Sequence, residues 1–174
     1  MTIIGTLLGV ILVWRHEDKR TKKKELNDRI KIMDSVMNEL EDNLTMAEEN
    51  SGLFASNIEN LKQQKTWLQS PTFFHESGWR YAQANGIASF IDIEVYKFIA
   101  GTYITITHMN AQFNAREGFR ITNMAQSSFY DVLILFDQML HEKSVRNVDR
   151  IKETIARLQE AKNNLIPKSQ RQKS

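Results

Sequence analysis

The side chains with the most potential for chemistry are four histidines, His16, His75, His108 and His141. None lies in an HExxH motif, and none follows a glutamate by three residues, the spacing that di-iron bundles use on facing helices. Asp137 and His141 are one helical turn apart and could share a metal or an ion pair. Without a second such pair, a histidine near the negative end of a helix dipole is the simpler interpretation. We therefore expect no metal site.

Motifs for nucleophilic and phosphate chemistry do not support an enzyme either. The sequence contains no GxxxxGK[ST] or GxGxxG loop. Ser127 and Ser128 lie in a predicted apolar helix rather than on a sharp strand-to-helix turn. The chain has no cysteine, which excludes disulfides, thiolate zinc sites and cysteine catalysis. We expect no catalytic residue and no cofactor, and we predict a protein that is not an enzyme.

A polar stripe is the remaining candidate for a ligand site. Thr107, Asn110, Asn114 and Glu117 follow one another at intervals of three, four and three residues, so they share one helix face. Such a face can line a ligand site, but it is more often solvated. We favour a solvated face.

Charge is distributed unevenly along the chain of 174 residues, which is long enough for one domain with its own core. Residues 25–60 hold nine acids and two bases, whereas residues 142–174 hold nine bases and four acids. The bases alternate with acids and no aromatic residue lies among them, so we expect no nucleic acid partner. Instead, the pattern predicts that an acidic helix, 25–49, packs against a basic helix, 147–166, within one subunit or across a dimer.

The helices must be positioned relative to an uncharged run at residues 2–14, which ten residues with six Lys or Arg and two acids follow. A helix over this run spans roughly 21 Å, less than the hydrocarbon core of about 30 Å. It has no polar face, and its basic flank is on the wrong side for a signal peptide. We interpret residues 1–14 as a short transmembrane or membrane-inserted anchor. The anchor residues are Ile3, Ile4, Gly5, Leu7, Leu8, Gly9, Ile11, Leu12 and Trp14.

Residues 15–24 form a basic juxtamembrane segment, which sets the predicted orientation. Its cations are Arg15, Lys19, Arg20, Lys22, Lys23 and Lys24. Because basic flanks stay on the cytoplasmic side, we expect a single-pass membrane protein whose remaining residues face the cytoplasm. Gly5 and Gly9 form a weak small-xxx-small pattern for close approach of two such helices.

Hydrophobic spacing predicts an all-α fold, in which the anchor helix continues into a four- to five-helix bundle at residues 25–166 with coiled-coil-like seams. The first seam contains Leu26, Ile30, Met33, Met37, Leu40 and Leu44. Turn signals divide the bundle into helices at about 22–50, 53–69, 89–116, 122–141 and 147–166. Pro167 ends the last helix, and residues 167–174 are predicted to be a disordered basic tail.

Three local motifs resemble those of small prokaryotic membrane-anchored all-helical proteins. They are the charged stretch 39–44, the tryptophan-bearing stretch 77–80 and the stretch 103–110. The resemblance implies an architecture and no particular chemistry.

From these observations we expect a membrane-anchored interaction or scaffold protein, whose partners are the lipid bilayer and a second protein or another copy of the chain. The alternative is an accessory or effector component, in phage defence or membrane stress, whose bundle senses a ligand or partner.

Overall fold

All regular secondary structure in the described part of the chain is helical. The computed structural model describes the backbone of residues 2–166 and the side chains of residues 13–166. Its α-helices are α1 (Thr2–Lys62), α2 (Ser77–Ala84), α3 (Ile93–Thr122) and α4 (Phe129–Leu165), and a 3₁₀ turn lies at Ile87–Ser89. Helix α1 packs against α4 and α2, and α4 also packs against α3. The predicted all-α bundle is therefore confirmed for these residues, with four α-helices.

Helix α1 is a single element of 61 residues. The predicted stop at residues 50–52 is wrong. The helix passes through Gly52, where an added Cβ atom would meet no neighbouring atom within 4 Å. A glycine in a helix interior costs only about 1 kcal/mol, which the packing of the flanking turns offsets.

The predicted membrane span is not supported by the structure. Among the residues that the structure describes, no helix is both long enough and apolar enough to cross a bilayer. The physical reason is that α1 becomes strongly charged immediately after Trp14, so its uncharged run is short. The anchor side chains up to Leu12 and the predicted tail at residues 167–174 lie outside the described side chains.

The buried face of α1 follows a strict heptad from Met33 to Leu61. Successive members are separated by alternating steps of three and four residues, as in a coiled-coil seam. They are Met33, Val36, Leu40, Asn43, Ala47, Asn50, Phe54, Asn57 and Leu61. Met33, Met37 and Leu40 of the predicted seam are buried, but Leu26, Ile30 and Leu44 are only partly buried. The true seam is shifted because asparagines occupy every second core position after Val36.

The predicted pairing of the acidic and basic helices is confirmed within one chain. The Nζ of Lys162 lies 2.5 Å from Oδ1 of Asp34, and the Nζ of Lys152 lies 3.0 Å from Oε1 of Glu48. Because the residue number rises along α1 while it falls along α4, the two helices are antiparallel. Leu40, Ile151 and Leu158 are fully buried in the core that these helices share with α3.

Helix α4 joins the two helices that were predicted at 122–141 and 147–166. No glycine or proline interrupts residues 129–165, so nothing in the backbone chemistry ends the helix near residue 144. Helix α3 likewise continues past the predicted end through Gly118 to Thr122. Its start is at Ile93, where the carboxylate of Asp92 accepts a hydrogen bond from the backbone N–H of Glu94.

Between α1 and α2 the chain folds back along α1 without regular structure. Gln64 adopts a left-handed backbone conformation, with φ of 54°, and residues 65–76 then run antiparallel to α1. We call residues 65–76 the strap. The sequence predicts a helix as far as residue 69, but the helix ends at Lys62. The backbone groups of the strap find hydrogen-bond partners outside their own segment.

These partners are a row of asparagine side chains, which we call the asparagine ladder. Each amide donates to the carbonyl oxygen and accepts from the N–H of one strap residue, at distances of 2.7–3.0 Å. The pairs are Asn57 with Gln69, Asn50 with Thr72, Asn43 with His75, and Asn110 of α3 with Phe74. The strap therefore lies between α1 and α3 and is bonded to both.

We predict that burial, not charge, dominates the energy of the α1–α4 contact. Leu40→Ala should lower the free energy of unfolding by about 2–5 kcal/mol, because it leaves a cavity at a fully buried site. Lys152→Gln should change it by only about 0–1 kcal/mol, because the pair with Glu48 is half exposed. Urea unfolding of both variants measures the difference, and equal losses would contradict this account.

Candidate functional site

The histidines and acids that could form a metal site are kept apart by the fold. Asp137 pairs with Arg116 rather than with His141, whose Nδ1 lies 3.0 Å from the carbonyl oxygen of Ser51. His16 is exposed on α1 and His75 is exposed in the strap. Across residues 13–166, no three potential metal-ligating side chains converge.

Three of the four residues of the polar stripe on α3 are hydrogen-bonded to the strap. The hydroxyl of Thr107 donates to Oε1 of Glu76 at 3.0 Å, and Asn110 belongs to the asparagine ladder. Glu117 accepts a hydrogen bond of 3.0 Å from the hydroxyl of Ser70. Of the four stripe residues, Asn114 alone is exposed without a hydrogen bond to the strap. The stripe is therefore partly solvated, at Thr107 and Asn114, and partly bonded to the strap, where Asn110 alone pairs with backbone groups.

A buried carboxylate, Glu39, continues the ladder at the start of α2. Its two oxygens accept hydrogen bonds from the backbone N–H groups of Gly78, at 2.6 Å, and Trp79, at 3.1 Å. The hydroxyls of Ser77 and Tyr103 donate to it at 2.9 and 2.8 Å. The carboxylate thus satisfies the free N–H groups at the positive end of α2. Burial, together with the neighbouring Glu39, raises the pKa of Tyr103, so its hydroxyl stays protonated.

This arrangement requires close contact between α1 and α2. A Cβ atom on Gly78 would lie 2.7 Å from the carbonyl oxygen of Ser35 and 3.2 Å from Cβ of Glu39. The side chain of Trp79 then stacks on Tyr103, with ring centroids 5.2 Å apart. The short helix is held by one carboxylate and one aromatic stack, and all of these groups are fully used within the fold.

We predict opposite effects for two glycine-to-alanine changes. Gly78→Ala should destabilise the protein by about 1–3 kcal/mol, because the new methyl group meets the backbone of α1. Gly52→Ala should stabilise it by up to about 1 kcal/mol, because nothing lies within 4 Å of that position in the interior of α1. Thermal unfolding measures both, and a loss of stability for Gly52→Ala would show that α1 is strained there.

A second buried charge cluster fastens the far end of the strap. Arg116 is fully buried, and its guanidinium donates to both oxygens of Asp137 at 2.8 and 2.9 Å. It also contacts Glu117, and its Nη1 lies 3.4 Å from the carbonyl oxygen of Gln69. Burial raises the pKa of Asp137, and the guanidinium opposes this rise without cancelling it. Burial also disfavours the charge of Glu117, but hydrogen bonds from Arg120 and Arg116 outweigh it and lower the pKa.

An open cleft between α3 and α4 is different, because its polar groups are not fully used. Its volume is about 550 Å³, and it extends from Phe98 and Glu153 to Gln112 and Lys143. Asn147 lines this cleft although only 1% of the residue is exposed. A cleft of this size is in the range of sites that bind small molecules or short peptide segments.

Three polar side chains at or beside this cleft have buried atoms without partners among the described residues. The atoms are Oε1 of Gln112, Oγ of Ser144, and both Oδ1 and Nδ2 of Asn147. Ser144 lies one turn from Asn147 on the same face of α4. An unpaired buried group costs about 1–3 kcal/mol, and ordered water is the usual partner of such groups.

The charged groups of the cleft are three bases and two acids. Nε of Arg150 donates to the hydroxyl of Thr102 at 3.1 Å, and its guanidinium lies 5.5 Å from the ring centroid of Phe98. Glu153 is paired with Arg157 at 2.6 Å. Lys143, Arg146 and Asp149 complete the set. The cleft therefore combines a buried amide with charged groups of both signs, and Arg146 is itself paired with Glu142 at 3.2 Å.

The sequence of α4 carries a signal for this site. The core positions of α4 follow a heptad, at residues 137, 140, 144, 147, 151, 154 and 158. Four of them are polar, namely Asp137, Ser144, Asn147 and Thr154. Two of these are paired across α3, by Arg116 and by the hydroxyl of Thr102 at 2.9 Å. Polar residues at strict core spacing indicate either such pairs or a binding site.

Like the cleft, the first part of α1 has no function inside the fold. The side chains of residues 13–25, which we call the stem, are all exposed, including 77% of Trp14 and 59% of Val13. Arg15, Lys19 and Lys22 follow at intervals of four and three residues, so they share one face, with Lys23 beside it. Lys22 also pairs with Asp18 at 2.8 Å. The stem is therefore an exposed stretch of helix whose charged groups are mainly basic.

Comparisons of the chain with models of protein families, with curated proteins and with solved structures gave no match.

Proposed function

We propose that the protein is a non-enzymatic interaction protein, in which the stem holds the helical bundle at an anionic membrane surface. The observation that carries the proposal is the continuity of α1, which runs without a break from Thr2 through the stem into the core. The stem is therefore part of the same helix whose later turns pack in the core.

The charge and exposure of the stem support a lipid surface as its partner. Six Lys or Arg and two acids lie at residues 15–24, directly after the uncharged run. Each basic residue near an anionic bilayer contributes about 1 kcal/mol of binding. The cations are Arg15, Lys19, Arg20, Lys22, Lys23 and Lys24, and the uncharged run supplies the apolar contact.

The interaction role fits the way the bundle uses its polar groups. The carboxylate of Glu39 and the guanidinium of Arg116 already have hydrogen-bond partners inside the fold. The cleft between α3 and α4 keeps its buried amide unpaired and lacks a paired nucleophile and base among its described residues. These groups favour binding over catalysis.

Flotation with lipid vesicles tests the membrane part of the proposal. The full chain should float with vesicles that contain phosphatidylglycerol, and a variant with Lys22, Lys23 and Lys24 changed to Gln should partition about 100-fold less. The matched control changes Lys65, Arg80 and Lys97 to Gln, which removes the same charge from exposed positions elsewhere. Deletion of residues 1–14 should weaken binding to neutral and anionic vesicles alike.

Two results would contradict the proposal. One is that the chain floats with neither kind of vesicle, and the other is that the control variant loses as much binding as the stem variant.

A further inference from the structure

We propose that the solvent-exposed face of α3 binds the same face of a second copy of the chain, with the two α3 helices parallel. The parallel orientation rests in part on the membrane role proposed above, because it puts both stems at the same end of the dimer, where both reach one bilayer. The pairing itself is measured in solution, so its failure and a failure of vesicle flotation are distinguishable.

The face contains a second heptad seam, on the side of α3 that points away from the core. Its members follow one another at alternating steps of four and three residues over three heptads. All of them are exposed except Ala100, which is half-buried, and Ile104 and Ile121 are 58% and 68% exposed. We call these residues the outer seam, and they are Ala100, Ile104, Thr107, Ala111, Asn114, Gly118 and Ile121.

The outer seam carries no charge, unlike the exposed faces of the other long helices. Residues 98–115 contain no Lys, Arg, Asp or Glu, so about five turns of α3 are uncharged. By contrast, exposed acids recur along α1 and α4, for example Glu41, Glu49, Glu142 and Glu153. Depletion of charged residues is the compositional mark of the centre of a protein–protein interface. The exposed face of α3 therefore has the composition of an interface.

The absence of both signs of charge identifies the partner as a second copy. In a parallel two-fold pair each seam residue meets its own mate, so any charged residue would face an identical charge. A different protein could neutralise a lysine or a glutamate in the seam, and so could an antiparallel copy. Only the parallel self-contact requires a seam without charge. Lys97, the nearest charged position in the same heptad, lies before the seam and is paired with Glu94 at 2.8 Å.

The side chains of the outer seam fit a close two-fold contact. Ala111 and Gly118 are small, and an added Cβ atom on Gly118 would meet nothing within 4 Å in its own chain, so a second helix can approach closely. The exposed side chain of Asn114 has no hydrogen-bond partner among the described residues. An asparagine at one core position of a parallel helix pair specifies the register. Ile104 and Ile121 supply apolar burial on either side of it.

Sedimentation velocity of the full chain over a range of concentrations tests the pairing. The wild type should dimerise, and Ile104→Lys should weaken dimerisation about tenfold or more, because two like charges meet. Leu135→Lys, at a site on α4 that is 65% exposed, is the matched control and should dimerise as the wild type does. An equimolar mixture of Ile104→Lys and Ile104→Glu should dimerise again, because opposite charges now meet. Both lysine variants should unfold at the same temperature at low concentration, since both sites are exposed in the single chain.

Disulfide formation between single introduced cysteines tests the orientation, because the chain has no cysteine of its own. Ala100→Cys and Ala111→Cys should each cross-link to a second copy of the same variant under mild oxidation, since every position of a parallel seam faces its own mate. Ala156→Cys, at an exposed site on α4, is the control and should stay uncross-linked.

Four results would overturn the proposal. They are a monomeric wild type, a loss of dimer in Leu135→Lys equal to that in Ile104→Lys, a monomeric mixture of Ile104→Lys and Ile104→Glu, and cross-linking of Ala111→Cys without cross-linking of Ala100→Cys.

Discussion

The fold depends on a match between two repeat lengths. Asparagines spaced seven residues apart on α1 are separated by about 10.5 Å along the helix axis. Three residues of an extended chain cover about 10 Å. Asn57, Asn50 and Asn43 can therefore pair in sequence with Gln69, Thr72 and His75, each amide serving one backbone residue. The match lets a segment without helix or sheet satisfy backbone groups that would otherwise need water.

The same match sets the position of the remaining elements. It requires α1 to stay helical through Gly52, because a break there would put Asn57 out of step with Gln69. At one end of the strap, Glu39 holds the start of α2, and at the other end Arg116 joins the strap to α4 through Asp137. Helix α3 is fixed between them by Asn110 and Tyr103. The strap thus joins α1 to α3, while α4 closes the core from the other side.

Helical periodicity and charge were sufficient to predict the fold class and the packing of an acidic helix on a basic one, because apolar spacing and net charge are local properties. They were insufficient for helix boundaries and for the polar core. Asn50 next to Gly52 has the chemistry of a helix end, and only the strap, which is distant in the sequence, turns Asn50 into a core residue. Asn147 shows the same limit, since an asparagine amid a charged helix carries no local sign of burial. The uncharged run at residues 2–14 predicted a membrane span, and its short length explains why the described helices contain none.

Amide hydrogen exchange of the strap, followed by NMR, tests the central claim most directly, because exchange reports whether each backbone N–H is bonded. The ladder predicts slow exchange for Gln69, Thr72, Phe74 and His75, and faster exchange for the intervening Ser70 and Phe73. Asn50→Ala should accelerate Thr72 far more than His75, because only the amide of Asn50 bonds Thr72. Uniformly fast exchange along the strap, or equal acceleration of all four amides in Asn50→Ala, would contradict this account.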